Sequence, residues 1–197
     1  MLLYDNPISG NCYKVRLLLA LRGIAYERRE LSVFDRSDRA ELLGELNPAL
    51  RVPTLVLDDG RALGESGAIL LYLADDTEYV PVDRFARAQM MQWMFFEQNS
   101  HEPNVALVRF WAEAGIEAPA AELEARRAAG DAALAAMDRH LGGRAFIVAD
   151  TYSLADIALY AYTHVAHQGG FSLTPYPAIQ AWLARVASRP GHVTIDD

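Results

Sequence analysis

The sequence predicts an α/β domain followed by an all-α domain, with elements in the order β-α-β-α-β-β-α and helices alone thereafter. Two observations carry this. Short β-type runs alternate with helical runs up to about residue 80, and from Arg84 onward every patterned segment has helical spacing. The 197 residues are 52% hydrophobic and 22% charged, an ordinary globular mix with room for one large domain or two small ones.

Leu2-Leu3-Tyr4 is a short strand closed by the turn formers Asp5-Asn6-Pro7. From Asn11 to Arg22 the apolar spacing is helical, with Val15, Leu18 and Leu19 on one face and Gly23 as the stop. Tyr26–Leu31 alternates as a second strand, and Ser37–Leu46 is a short polar helix. Val52–Leu57 is β-rich, Asp58-Asp59-Gly60 is a hairpin turn, and Arg61–Leu63 is the return strand. Ser66–Ala74 is an apolar helix. The β-α-β part implies a parallel pair through a right-handed crossover, and the hairpin implies an antiparallel one. The first domain is therefore placed at 1–76, a polar linker at 77–83 and the helical domain at 84–197. In that second part a long helix from Arg84 to Ala112 is expected to bend at Pro103. Further helices are read at Pro119–Leu141, from Ser153, and at Pro177–Ser188.

The net charge of −8 argues against a general nucleic-acid or anionic-membrane binder. One cysteine excludes a disulfide framework and a CxxC motif. The first residues carry no signal-peptide pattern, and no run approaches the roughly 18 apolar residues of a membrane span. A cytoplasmic protein is expected. The five histidines suggest no metal site, because His164 and His167 have no acid or Cys nearby to complete a set.

Three stretches could carry chemistry. Ser9-Gly10-Asn11-Cys12 lies between the first strand and first helix, where a parallel sheet opens its ligand crevice. Ser9 or Asn11 is either a hydrogen-bond donor to an anion or a simple N-cap. Arg51-Val52-Pro53 opens a strand with a proline, which is either a cis bond turning the Val52 backbone toward a peptide-like ligand or an ordinary trans start. Glu65-Ser66 begins a helix. There Ser66 and the following N–H groups could hold a carboxylate while Glu65 pairs an amine, or the pair is only a cap.

Taken together, Ser9–Arg16, Asn47-Pro48 through Arg51-Val52-Pro53, Glu65–Ile69 and Tyr152–Asp156 resemble the glutathione transferase superfamily over nearly the whole chain. The resemblance implies a thioredoxin-like first domain, a helical second domain forming the electrophile site, and glutathione as co-substrate with no metal. It implies that Val52 beside a cis Pro53 pairs with the cysteinyl backbone, that Glu65 and Ser66 hold the γ-glutamyl end, and that Arg51 reaches the glycyl carboxylate. The Lys14-Val15 register is similar to the serine-type and Nu-like bacterial branches. It puts Ser9 on their hydroxyl position and Asn11 on the Nu-like asparagine, while Cys12 falls near the beta-class cysteine. Ser9 ranks first as activator, Asn11 second and Cys12 third.

A hydrogen bond to a charged group contributes about 1.5–3 kcal/mol. That is enough to bring a thiol from about 8.5 down by one to two units. His101 and Asn104, spaced with Glu97 and Gln98 on the long helix, are read either as second-substrate pocket residues or as a polar face covered by a partner subunit. Ser153-x-x-Asp156 is read as a structural capping box, with Tyr152 and Ile157 as its hydrophobic staple. The expected function is attack of the glutathione thiolate on a small hydrophobic electrophile by a homodimeric transferase. A glutathione-dependent disulfide reductase or peroxidase and a non-catalytic binding protein are the alternatives.

Overall fold

The computed structural model describes residues 1–148 and 150–197. They form two compact units, one of residues 1–77 with 190–197 and one of residues 78–189.

The first unit contains β1 (Leu2–Asp5), α1 (Gly10–Leu21), β2 (Glu27–Glu30), α2 (Arg39–Leu43), β3 (Thr54–Val56), β4 (Ala62–Leu63) and α3 (Ser66–Leu73). The sheet order is β2-β1-β3-β4. β1 runs parallel to β2, with Leu3 opposite Arg28, and antiparallel to β3, with Tyr4 opposite Thr54. β3 and β4 close the antiparallel hairpin. This is the mixed sheet expected from the alternating pattern. β2 is Glu-Arg-Arg-Glu, a charged edge strand that discourages strand addition. Leu3, Val15, Leu18, Leu19, Leu55, Ile69 and Leu70 are fully buried between sheet and helices.

Below the core lies a buried ion-pair cluster that residue spacing does not reveal. Asp5 is fully buried, and Arg16 Nη1 donates to both its carboxylate oxygens at 2.9 and 3.1 Å. Arg28 pairs with the same carboxylate. Arg16 also donates to the carbonyls of Asn6, Pro7 and Ile195. The sequence pattern groups residues 190–197 with the helices. In the structure they belong to the first unit, because Arg16 holds Ile195 and the Tyr13 hydroxyl donates to the Val193 carbonyl at 2.8 Å.

The second unit contains α4 (Arg84–Phe96), a π-helical turn (Glu97–His101), α5 (Glu102–Ala114), α6 (Ala120–Leu141), α7 (Leu154–Thr163), a 3-10 turn (Ala166–Gly169) and α8 (Pro177–Ala187). All ten residues of α7 are buried, so it is the central helix, with α4, α5 and α8 packed on it. The expected polar linker is partly core. Tyr79 and Val80 are buried, Tyr79 meets Tyr152 edge-on at 6.1 Å, and its carbonyl accepts from Leu154 N. Asp83 caps α4 by accepting from Ala86 N at 2.8 Å. In α6, a Cβ on Gly130 would sit 2.5 Å from the Phe171 ring, so the helix accepts a poor helix former to seat that ring.

The bend expected at Pro103 is a π turn immediately before it. Proline lacks an N–H and its ring strikes the carbonyl four residues back, so the ladder widens and Glu102 N donates to Glu97 O. Side-chain amides replace part of what the turn loses. Asn99 Nδ2 donates to Phe95 O at 2.9 Å, and Asn104 Nδ2 donates to Ser100 O at 2.7 Å.

Candidate functional site

α1 begins at Gly10 with Ser9 as its N-cap, whose Oγ accepts from Cys12 N at 3.3 Å. The two readings of Ser9 are compatible. A hydroxyl has one donor and two acceptor positions, and the cap uses one acceptor. Asn11, in the first turn, is partly exposed. Its Oδ1 accepts from Lys14 Nζ at 2.7 Å and from Ser66 Oγ at 3.2 Å. That second bond joins the strand-to-helix loop of β1–α1 to the start of α3, two motifs 55 residues apart.

Ser66 is the first residue of α3, not its N-cap. Glu65 occupies the cap position with no side-chain cap bond, at φ 62° and ψ 114°. A non-glycine residue at positive φ is strained, by about 1–3 kcal/mol, and such strain concentrates at ligand-holding positions. Glu65 is exposed, while Ser66 is 5% exposed. The Ser66 hydroxyl is therefore committed to Asn11 rather than to the helix end.

The Val52–Pro53 peptide is cis. Asn47, a buried amide, organises the segment that leads into it. Its Nδ2 donates to Arg51 O at 3.1 Å and to Thr54 Oγ1 at 2.9 Å, and its Oδ1 accepts from Ala49 N at 3.0 Å. Thr54 Oγ1 in turn donates to Arg51 O. Arg51 is exposed and Val52 half-buried. Asn47 also sets the neighbouring segment, because a Cβ on Gly64 would lie 2.7–3.0 Å from its side-chain amide. One amide thus positions both Arg51-Val52 and Gly64-Glu65. Gly64→Ala is expected to weaken glutathione binding at least tenfold while leaving a folded protein. Calorimetry with unchanged affinity rejects this positioning role.

Cys12 is fully buried, and burial together with the Asp5 charge pushes its thiol far above the ordinary range. It stays protonated at neutral pH and cannot serve as a nucleophile without being exposed. Cys12→Ala is expected to keep its activity within about twofold and to cost only a small cavity penalty of roughly 1 kcal/mol. Loss of turnover in that variant contradicts the assignment.

His101 and Asn104 both have partners inside the helical unit. His101 is fully buried, with Nε2 3.0 Å from Thr163 Oγ1. The Thr163 hydroxyl donates to Leu159 O, so His101 Nε2 is the donor to Thr163. Asn104 repairs the broken helix ladder and accepts from Arg126. Trp93 packs on Phe96 and His140, at centroid distances of 5.0 and 4.4 Å. Ser153 and Asp156 form the capping box, and the staple residues Tyr152 and Ile157 are buried.

The side-chain roles of Asn47, Lys14 and the Asp5–Arg16 pair are what sequence reasoning did not assign. Lys14 served there only as a register mark. Its signal was a lysine on the same helix as Val15, Leu17, Leu18 and Leu19 with no acid one turn away. No group of three His, Cys, Asp or Glu residues that could hold a metal occurs among the described residues. Among them, too, no helix is long and apolar enough to cross a membrane.

Comparison with known proteins agrees with this architecture in both units. A crystal structure of glutathione S-transferase from Pseudomonas fluorescens Pf-5 is 43% identical and superposes with a TM-score of 0.94, covering 100% of this chain and 98% of that one. Glutathione S-transferase 2 of Anopheles gambiae is 30% identical over 95% of this chain and 91% of its own length. The disulfide-bond oxidoreductase YfcG of Escherichia coli is 28% identical over 95% and 90%. Residues 3–82 match the glutathione S-transferase N-terminal domain and residues 87–190 the C-terminal domain, and with a four-stranded mixed sheet ahead of a helical unit the chain belongs to the glutathione S-transferase superfamily.

Proposed function

We propose that this chain is a glutathione transferase that holds glutathione on its first unit and activates the thiol for attack on a small hydrophobic electrophile. The observation that carries the reading is the Ser66–Asn11 hydrogen bond, which draws the two ends of the proposed glutathione site together. Glu65 takes the γ-glutamyl amine, and the backbone N–H groups from Ser66 onward at the start of α3 take its carboxylate. The Val52 backbone beside Pro53 pairs with the cysteinyl residue, and Arg51 takes the glycyl carboxylate. Ser9 and Asn11 donate to the sulfur.

The thiol gives its proton to solvent, and the thiolate lone pair forms the C–S bond. The leaving group, such as halide from an aryl halide, departs with the electrons of the broken bond. Each donor to the thiolate lowers its pKa by about one unit or more from about 8.5, and the start of α1 adds a smaller favourable field. The electrophile is held by the helical unit.

Disulfide or peroxide reduction is the second reading, favoured by the relative that is named a disulfide-bond oxidoreductase. With Cys12 buried as a neutral thiol, that chemistry would run on the sulfur of glutathione itself. Glutathione titration, followed by turnover with an aryl halide, an epoxide and hydroxyethyl disulfide, separates the readings. Conjugation supports the transferase. Disulfide turnover alone replaces it with a reductase, and binding without any turnover replaces both with a binding protein. A cytoplasmic location is part of the proposal, and so is a homodimer, which the exposed Phe34 supports. Light scattering that gives a particle of 21.8 kDa at micromolar concentration rejects the dimer.

A further inference from the structure

α1 buries two cations, and the structure uses them differently. Arg16 is held by Asp5 and by the carbonyls of Asn6, Pro7 and Ile195. Lys14 is only 1% exposed and places its ammonium 2.7 Å from Asn11 Oδ1. Packing alone does not require a charge there, since Val15, Leu17, Leu18 and Leu19 fill the same helix with hydrocarbon. A buried ammonium is strongly disfavoured unless its surroundings reward the charge.

Its effect on Asn11 follows from amide geometry. The carbonyl oxygen has two lone pairs, and Lys14 Nζ and Ser66 Oγ both donate to it. A flipped amide would turn N–H groups against an ammonium that can only donate, so the flip is excluded. The NH₂ edge must face away from Lys14 and Ser66. A cation on the oxygen also draws density through the amide and makes the N–H groups stronger donors. Asp5 is paired with Arg16 and Arg28, Cys12 is a neutral thiol, and Glu65 is exposed at the start of α3.

We propose that Lys14 is a positioning residue for glutathione activation: its ammonium locks the Asn11 amide with the NH₂ edge turned to the sulfur and strengthens that donor. This rests on the glutathione reading above.

The test is Lys14→Met, which keeps the length and removes the charge, with Lys14→Arg as the charge-retaining variant. Glutathione affinity is expected to stay within about threefold by calorimetry. The pKa of the bound thiol, followed by thiolate absorbance, is expected to rise by about one unit. kcat at neutral pH should fall roughly tenfold with little change in KM for glutathione, and Lys14→Arg should recover at least half of the shift. An unchanged thiol pKa in folded Lys14→Met overturns the proposal, and so does equal loss in both variants, which marks a packing role.

A measurement on the unmodified chain covers the case in which Lys14→Met does not fold. The ¹⁵N side-chain resonance of Asn11, assigned against Asn11→Ser, should move with the midpoint of the thiolate titration. No movement overturns the proposal. Absence of glutathione binding by the unmodified protein overturns the glutathione reading and this inference together. A lowered thiol pKa shared by the unmodified protein and Lys14→Met removes the Lys14 role alone.

Discussion

Asp156→Ala is expected to destabilise the protein by about 3–5 kcal/mol, enough to unfold much of it at 37 °C given typical stabilities of about 5–15 kcal/mol. An isolated cap would account for only about 0.5–2 kcal/mol. The carboxylate does more than cap α7. Its Oδ1 accepts from Ile147 N at 3.0 Å and from Trp182 Nε1 at 2.9 Å, and its Oδ2 accepts from Ser153 N at 2.9 Å and Ser153 Oγ at 3.1 Å. Alanine would strand these buried donors on three separate segments, at about 1–3 kcal/mol for each one left unsatisfied. Urea titration measures the loss, and a change below about 1 kcal/mol rejects the account. Turnover per folded molecule should be unchanged, since Asp156 is fully buried in the helical unit. Normal melting with abolished turnover would instead make it a catalytic acid.

The same residue gives a pH signature. Burial pushes the Asp156 carboxyl up to about 6 in spite of its four donors. A folded pKa above the unfolded value of about 3.9 means that the folded chain binds the proton more tightly. The stability this group contributes is full below about pH 4 and is lost as pH rises through about 6. The stability gap between the unmodified protein and Asp156→Ala should therefore narrow from pH 4 to pH 7. A widening gap shows that the four hydrogen bonds outweigh burial.

Ser9→Ala is expected to lower kcat/KM at neutral pH by about ten- to a hundredfold. The hydroxyl caps α1 through Cys12 N, so its loss costs about 0.5–2 kcal/mol of stability. Removal of a donor to the thiolate raises the thiol pKa by roughly one to two units, and each unit above the working pH removes about tenfold of the nucleophile. Ser9→Thr, which keeps the hydroxyl, should recover most of the rate. The pH–rate profile separates the two losses: a cap effect lowers the melting temperature without moving the profile, whereas a donor effect moves it upward. An unmoved profile in Ser9→Ala hands the role to Asn11.

Local signals were sufficient for the element order and for the capping box. Turn formers bracket β1, the Asp58-Asp59-Gly60 turn sets the hairpin of β3 and β4, and Ser153 with Asp156 starts α7 at the spacing such a box requires. Each of these depends on residues a few positions apart, which the backbone's own periodicities bring together. The π turn before Pro103 was legible only as a bend. Whether a proline kinks a helix or widens it depends on which side chains can satisfy the freed carbonyls, and here Asn99 and Asn104 do so.

The sequence by itself determined which residue types stand at the strand-to-helix loop, before the cis proline and at the start of α3. Spacing along the chain carries no information on burial or on partners far away. Only the tertiary structure decided that His101 is core, that Ser66 is committed to Asn11 rather than capping α3, and that Asn47 serves two segments at once. It decided likewise that Asp156 serves three segments and that Lys14 is buried on an amide. The physical reason is common to all of them. A polar side chain's role is set by the donors and acceptors that folding places within about 3 Å of it once water is excluded, and those come from segments up to 62 residues away in sequence.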